Sequence, residues 1–120
     1  MTAVRVLLVD DVKEVRQNLR TALTLSGDIE IIGEAADGSE AVRLTESLQP
    51  DAVLMDLEMP VMDGYEATRQ IKSRFPCNVI ALTVHDYESA REKAKRSGVD
   101  AFLVKGAPVN TIVQTILKKE

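Results

Sequence analysis

Tryptophan is absent from this chain of 120 residues, and its aromatic content is two tyrosines and two phenylalanines. Four rings are few to flank a flavin, so electron transfer through that cofactor fits poorly. Cysteine occurs once, as Cys77, which excludes an internal disulfide and any four-cysteine metal site and reads as a structural thiol. Neither charge dominates: fifteen basic residues against nineteen acidic ones leave −4, with no general electrostatic reason to hold a polyanion such as DNA directly. Long apolar runs are missing too. After Met1 to Arg5 the apolar run Val6 to Val9 is far short of a signal-peptide core or a membrane span, and the expected location is the cytoplasm. No Pro/Ser-rich linker or low-complexity stretch divides the chain.

What remains is the composition of an ordinary globular domain, 45% apolar and 28% charged. A chain of this length buries roughly two thirds of its unfolded surface, and residues 1–120 are expected to form one domain. One pattern recurs four times, a short apolar run that stops at a polar residue: Val6 to Val9 before Asp10, Val53 to Met55 before Asp56, Val79 to Leu82 before Thr83, and Phe102 to Val104 before Lys105. Continuous runs of this kind suit strands buried on both faces. A fifth run, Ile29 to Gly33, alternates less cleanly and is expected at a sheet edge.

Helical patterns separate the runs. Val12, Val15, Leu19, Ala22 and Leu23 share one face, and Gly27 stands where that helix should stop. Asp37 and Asp63 each precede a glutamate by three positions, Glu40 and Glu66, as a helix N-terminus prefers. Val109, Ile112, Val113, Ile116 and Leu117 form a full stripe behind Pro108, which is placed in a first helical turn. Tyr87 to Ser97 offers only Tyr87, Ala90 and Ala94 to a core and should be the most weakly anchored helix.

Five strands alternating with helices predict an α/β fold, a doubly wound five-stranded parallel sheet with helices on both faces. With the second strand outside the first, the order is 2-1-3-4-5, and ligands bind beyond the carboxyl ends of the strands where the order reverses. Asp10, Asp56, Thr83 and Lys105 then converge on one crevice. Carboxylates of Asp10, Asp11 and Asp56 gathered there repel one another and call for a cation. Hard oxygen donors without nearby Cys or His suit Mg²⁺, and Lys105 adds a further positive charge. Such a pocket tolerates a phosphoryl group, with Asp56 as the nucleophile, Asp10 and Asp11 holding metal and its waters, and Thr83 bonding a phosphoryl oxygen. Taken singly these residues have plainer readings. Asp11 with Glu14 is equally a capping box, Asp56 a strand end, Lys105 a solvated lysine and Thr83 a strand residue. Met55, Met59 and Met62 read as packing residues, and His85, the one histidine, as an exposed loop residue.

The segment Asp56-Leu57-Glu58-Met59-Pro60-Val61-Met62-Asp63-Gly64, with Asp10-Asp11 before it and Thr83 and Lys105 after it, resembles the receiver domain of two-component response regulators, the CheY-like family with a flavodoxin-like (βα)5 sandwich. The resemblance implies that Asp56 takes a phosphoryl group from the phosphohistidine of a sensor histidine kinase. It also implies that Mg²⁺ is held by Asp11, Asp56 and the backbone carbonyl of Glu58, with Asp10 acting through water. Thr83 and Phe102 would be the switch pair that changes the surface around helix 4, strand 5 and helix 5, and catalysis would be confined to the domain's own phosphorylation and dephosphorylation. Ile29 to Gly38 resembles receivers of the NarL/FixJ (LuxR) type. That likeness implies a DNA-binding output domain outside these residues and homodimerisation through the terminal helices; a single-domain regulator acting by protein–protein contact is the alternative.

Three positions depart from the family pattern. Phe102 replaces a frequent tyrosine and, lacking the hydroxyl, is expected to favour a buried position. Gly106 follows Lys105 where the family often has proline after a cis peptide, which leaves that loop's geometry open. Glu58 and His85, two residues beyond Asp56 and Thr83, resemble positions that tune attack by water. Among rival functions, an aspartate-nucleophile phosphohydrolase lacks residues for a substrate cap. A flavodoxin-like carrier is poorly served by the acidic Asp10-Asp11 turn.

Overall fold

The computed structural model describes residues 3–118, so Met1, Thr2, Lys119 and Glu120 of the expected 1–120 domain lie outside the described residues. Strands β1 (Val4–Val9), β2 (Ile29–Ala35), β3 (Ala52–Met55), β4 (Asn78–Thr83) and β5 (Ala101–Val104) alternate with helices α1 (Lys13–Thr24), α2 (Gly38–Leu48), α3 (Gly64–Arg74), α4 (Glu88–Ser97) and α5 (Val109–Leu117). All strand pairs are parallel, as the alternation of apolar runs and helices predicts, and the sheet order is β2-β1-β3-β4-β5, the order expected with the second strand outside the first.

Two cores form because successive strand residues face opposite ways. Leu7, Val9, Val53, Met55, Val79 and Ala81 pack beneath Ala41, Tyr65, Ala67, Ile71 and Ala94 of α2, α3 and α4. Val6, Leu8, Ala52, Leu54, Ile80 and Leu82 face Leu23 of α1 and Ile112, Val113 and Ile116 of α5. Cys77 is buried in the first core as a free thiol, where burial pushes its pKa up, and Met55, Met59 and Met62 pack there as expected.

The edge strands explain two departures from the apolar pattern. β2 carries an irregularity opposite Val6 and Leu7, which pair with Ile31 and Gly33 and leave Ile32 between them; the extra residue breaks the alternation of this run. β5 is half-buried along its whole length rather than buried on both faces, because it closes the other edge of the sheet.

Helix ends follow side-chain chemistry. Asp37 and Asp63 accept the backbone N–H of Glu40 and Glu66, each at 2.9 Å, and so cap α2 and α3. Gly27 at φ +83° lies just past the end of α1, in a conformation glycine takes without strain. Three expectations are corrected. Asp11 is not the cap of α1: that position belongs to Val12, which has no capping side chain and whose N–H is taken by Asp10 Oδ1 at 2.9 Å. Pro108 is the cap of α5 and lies just before the first turn. Tyr87 caps α4 as an exposed residue, and Ser97 joins Ala90 and Ala94 on the buried face instead.

Candidate functional site

The sheet carries its hydrogen bonding one residue past β1 and β3, and this fixes the two central acids. Asp10 donates its N–H to the Ala35 carbonyl at 3.1 Å, and Asp56 donates to the Val9 carbonyl at 2.9 Å. Both residues are buried beside each other where the strand order reverses, while Asp11 is exposed on the outgoing turn. Oxygen atoms of Asp10, Asp11 and Asp56 lie within 4.8 Å of one another. Lys105, just beyond β5, extends its ammonium back to Asp10 Oδ2 at 2.6 Å and to Asp56 Oδ2 at 3.5 Å. The expected cluster is therefore assembled, with the acids of β1 and β3 spanned by a lysine from the far edge.

Electrostatics favour a further positive charge. Burial first and the Asp10 carboxylate second raise the Asp56 pKa to about 6, although Lys105 and the Glu58 backbone N–H pull it down. Burial alone would lower the Lys105 ammonium, but the hydrogen bond to Asp10 and the charges of Asp56 and Asp10 outweigh it and raise its pKa. Three carboxylates face one ammonium here, and every donor is a hard oxygen without histidine or cysteine in the cluster. That donor set fits Mg²⁺ in size of charge and in chemistry.

Thr83 ends β4 as a buried residue whose hydroxyl accepts the His85 N–H at 3.2 Å. Its carbonyl accepts the Lys105 N–H at 2.7 Å, so threonine and lysine are tied through the backbone. The described residues contain no cis peptide, and Gly106 turns the chain at φ +97° instead; this answers the loop geometry left open by the missing proline. Phe102 differs from expectation. Its ring is half-buried against the first core, and its outer face is covered by the Arg91 guanidinium, 4.6 Å from the ring centroid.

Several contacts at the site are not evident from spacing. His85 Nε2 lies 3.1 Å from Glu58 Oε1, so the residues two beyond Asp56 and Thr83 meet across the pocket mouth, and the His85 ring also packs edge-on to Tyr87. His85 is thus a loop residue, but a partnered and half-exposed one. Gly64 starts α3 so close to the strand end that a Cβ would lie 2.1 Å from the Asp56 carbonyl oxygen. Val61 holds φ +70° with 85% exposure, and Met62 donates across it to the Pro60 carbonyl at 2.8 Å, a tight three-residue turn. A β-branched residue gives no hint of such a turn. The motif's glycine does mark the close approach of α3.

Comparison with known proteins agrees with this fold. The profile of the response regulator receiver domain matches residues 6–117. The response regulator protein VraR of Staphylococcus saprophyticus is 37% identical over 116 residues, covering 96% of this chain and 56% of VraR. The chain spans about half the length of the curated relatives it matches. Among solved structures, the signal receiver domain of the response regulator NarL from Mycobacterium tuberculosis superposes with TM-score 0.94 at 34% identity, covering 98% of this chain and 95% of that one. A LuxR-family DNA-binding response regulator from Staphylococcus aureus superposes with TM-score 0.88 at 32% identity, covering 94% and 95%.

Proposed function

Because this chain belongs to the response regulator receiver family, we propose that residues 1–120 act as one phosphoacceptor domain whose Asp56 is esterified by a sensor histidine kinase. The observation that carries the reading is the meeting of Asp10, Asp11 and Asp56 with Lys105 at the carboxyl edge of the sheet. Asp56, ionised above about pH 6, attacks phosphorus with a carboxylate oxygen. An O–P bond forms, the N–P bond of the phosphohistidine breaks, and the imidazole nitrogen keeps the electron pair and takes a proton. The kinase supplies the phosphoryl group, and the domain supplies alignment and charge.

Asp11, Asp56 and the Glu58 carbonyl would hold Mg²⁺, with Asp10 acting through water; bound there, the ion offsets charge on the phosphoryl oxygens. Lys105, already on Asp10 and Asp56, is the side chain placed to follow the charge as it moves outward. Thr83 has to release the His85 N–H before its hydroxyl turns to the phosphoryl group. Phe102 then moves inward behind it, which changes the surface of α4, β5 and α5. α4 buries only two alanines and a serine, so a small energy change can bias it.

The rim of the pocket supports a protein partner. Val12, Val61, Val84, Tyr87 and Val109 are exposed and all come from loops or helix starts at this edge. A kinase domain covering them would also exclude water from the reaction. For self-association, a groove between α1 and α5 presents Val15, Leu19, Ala22, Val109 and Ile112. The relatives' greater length and the DNA-binding LuxR-family neighbour support a DNA-binding output joined to the receiver, with DNA reached only through it. The described residues contain no helix long and apolar enough to cross a membrane, and the place of action proposed is the cytoplasm. Incubation with a small phosphoryl donor and Mg²⁺ should add one phosphate by intact mass. Asp56→Asn should abolish the adduct, and an adduct that persists in this variant would overturn the assignment.

A further inference from the structure

Every polar group of Asp10 is engaged by a different element: its N–H by Ala35, one carboxylate oxygen by the Val12 N–H and the other by Lys105. Its carbonyl, at the point where β1 gives way to the acidic turn, accepts from Arg16 Nη1 at 2.5 Å. Arg16 sits on the first turns of α1 with its side chain 14% exposed, and its Nε donates to Glu34 Oε1 at 2.9 Å. Glu34, on edge strand β2, is held in turn by Arg20 through Oε2 at 2.7 Å. The hydrogen bond from Arg20 leads, and that from Arg16 adds to it against the opposing effect of burial, so the Glu34 pKa is lowered.

We propose that Arg16 is a positioning residue for the acidic pocket, clamping the Asp10 carbonyl against Glu34 so that the Asp10–Asp11 turn presents both carboxylates toward Asp56. This rests on the reading of the pocket as a Mg²⁺ site. Arginine suits the task because its planar fork donates from Nε and Nη1 to two acceptors at fixed angles, whereas the three donors of a lysine ammonium rotate about one point and fix no direction between two acceptors. The clamp fixes the peptide from which Asp11 departs. Asp11 itself is exposed and makes no capping bond to α1, so its direction is set by that peptide. Arg20 is the internal control. It shares Glu34 with Arg16 but has no bond to the turn, so it contributes to the ion pair without contributing to the clamp.

Calorimetric titration with Mg²⁺ and amide hydrogen exchange in metal-free buffer, on the whole chain and on Arg16→Gln, Arg16→Lys and Arg20→Gln, test the assignment. Arg16→Gln should weaken Mg²⁺ binding about tenfold, in the range for loss of groups that orient metal ligands, and should speed exchange at the Val12 amide. Arg16→Lys should fall between it and the unmodified chain, and carries the comparison should Arg16→Gln fail to fold. Arg20→Gln should stay within about twofold in Mg²⁺ affinity. Equal weakening by Arg20→Gln, or unchanged affinity and exchange in the Arg16 variants, would overturn the proposal. If the unmodified chain takes up no Mg²⁺, the function proposed for the pocket fails, while exchange at Val12 still decides whether Arg16 holds the turn.

Discussion

The guanidinium of Arg91 lies over the ring of Phe102, 4.6 Å from its centroid, and is tied to Asp86 Oδ1 through Nε at 2.7 Å and Nη2 at 2.6 Å. A phenylalanine has no hydroxyl to anchor it at the surface, and α4 supplies a cation instead. An exposed cation–π contact is worth roughly 0.5–1 kcal/mol, a population ratio of about two to five. Arg91→Ala should therefore shift the Phe102 ring toward the buried position by that factor before any phosphorylation. NMR of the ring would show it as new contacts to the core around Ala81, the residue that pairs with Phe102 across the sheet. A ring unmoved in Arg91→Ala would mean that core packing alone holds it.

Most of the architecture is legible because each strand is short, apolar and ended by a residue with distinct chemistry. Asp10, Asp56, Thr83 and Lys105 fall at one edge as soon as the strands are parallel. The carboxylate caps Asp37 and Asp63 are legible for the same reason, a local bond over three residues. What spacing does not carry is competition among partners brought together by folding. Asp11 looks like a cap for α1, but Asp10 takes the Val12 N–H first. Phe102 looks like a residue bound for the core, yet Arg91, eleven positions earlier, meets it only once α4 is laid beside β5. The Glu58–His85 and Arg16–Asp10 contacts are of the same kind, each a choice of partner made only once the elements are folded together.

Gly64 sets how near α3 approaches the phosphoacceptor strand. A Cβ at this position would lie 2.1 Å from the Asp56 carbonyl oxygen and 2.7 Å from Leu57 Cα, both backbone atoms that cannot rotate away. Gly64 also donates its N–H to the Leu57 carbonyl at 2.9 Å. Gly64→Ala is expected to cost about 3 kcal/mol or more in urea unfolding, since backbone must move to admit the methyl group. A loss under about 1 kcal/mol would show that the loop from Glu58 to Asp63 gives way without strain.

Two fully buried threonines make a second comparison. Thr45 Oγ1 donates to the Ala41 carbonyl at 2.7 Å, whereas Thr68 Oγ1 has no hydrogen-bond partner among the described residues. Valine has the shape of threonine without the hydroxyl. Thr68→Val should stabilise by about 1 kcal/mol, because an unsatisfied buried hydroxyl carries its desolvation cost in full, and Thr45→Val should destabilise by about the same amount. Parallel urea melts give both values, and equal effects would contradict the difference in bonding.

Asp56 links the pocket to stability. Its pKa in the folded chain is about 6 against an ordinary 3.8, so between these values the native state holds more of a proton than the unfolded chain does. Stability is then lost as pH rises from about 4 to 6, and the penalty is complete above about 6. A shift of this size corresponds to about 3 kcal/mol, reduced to about 2 kcal/mol by the solvent screening of a partly buried group. Asp56→Asn removes the charge while keeping the shape, so the variant should be more stable than the unmodified chain by that order at pH 7.5 in metal-free buffer. The difference should shrink as pH falls through 4 and vanish about a unit below the ordinary value of 3.8, where Asp56 is protonated in both states. Urea melts across this range test the slope as well as the sign. A variant less stable at pH 7.5 would mean that the ionised carboxylate is held by Lys105 more strongly than burial and Asp10 oppose it.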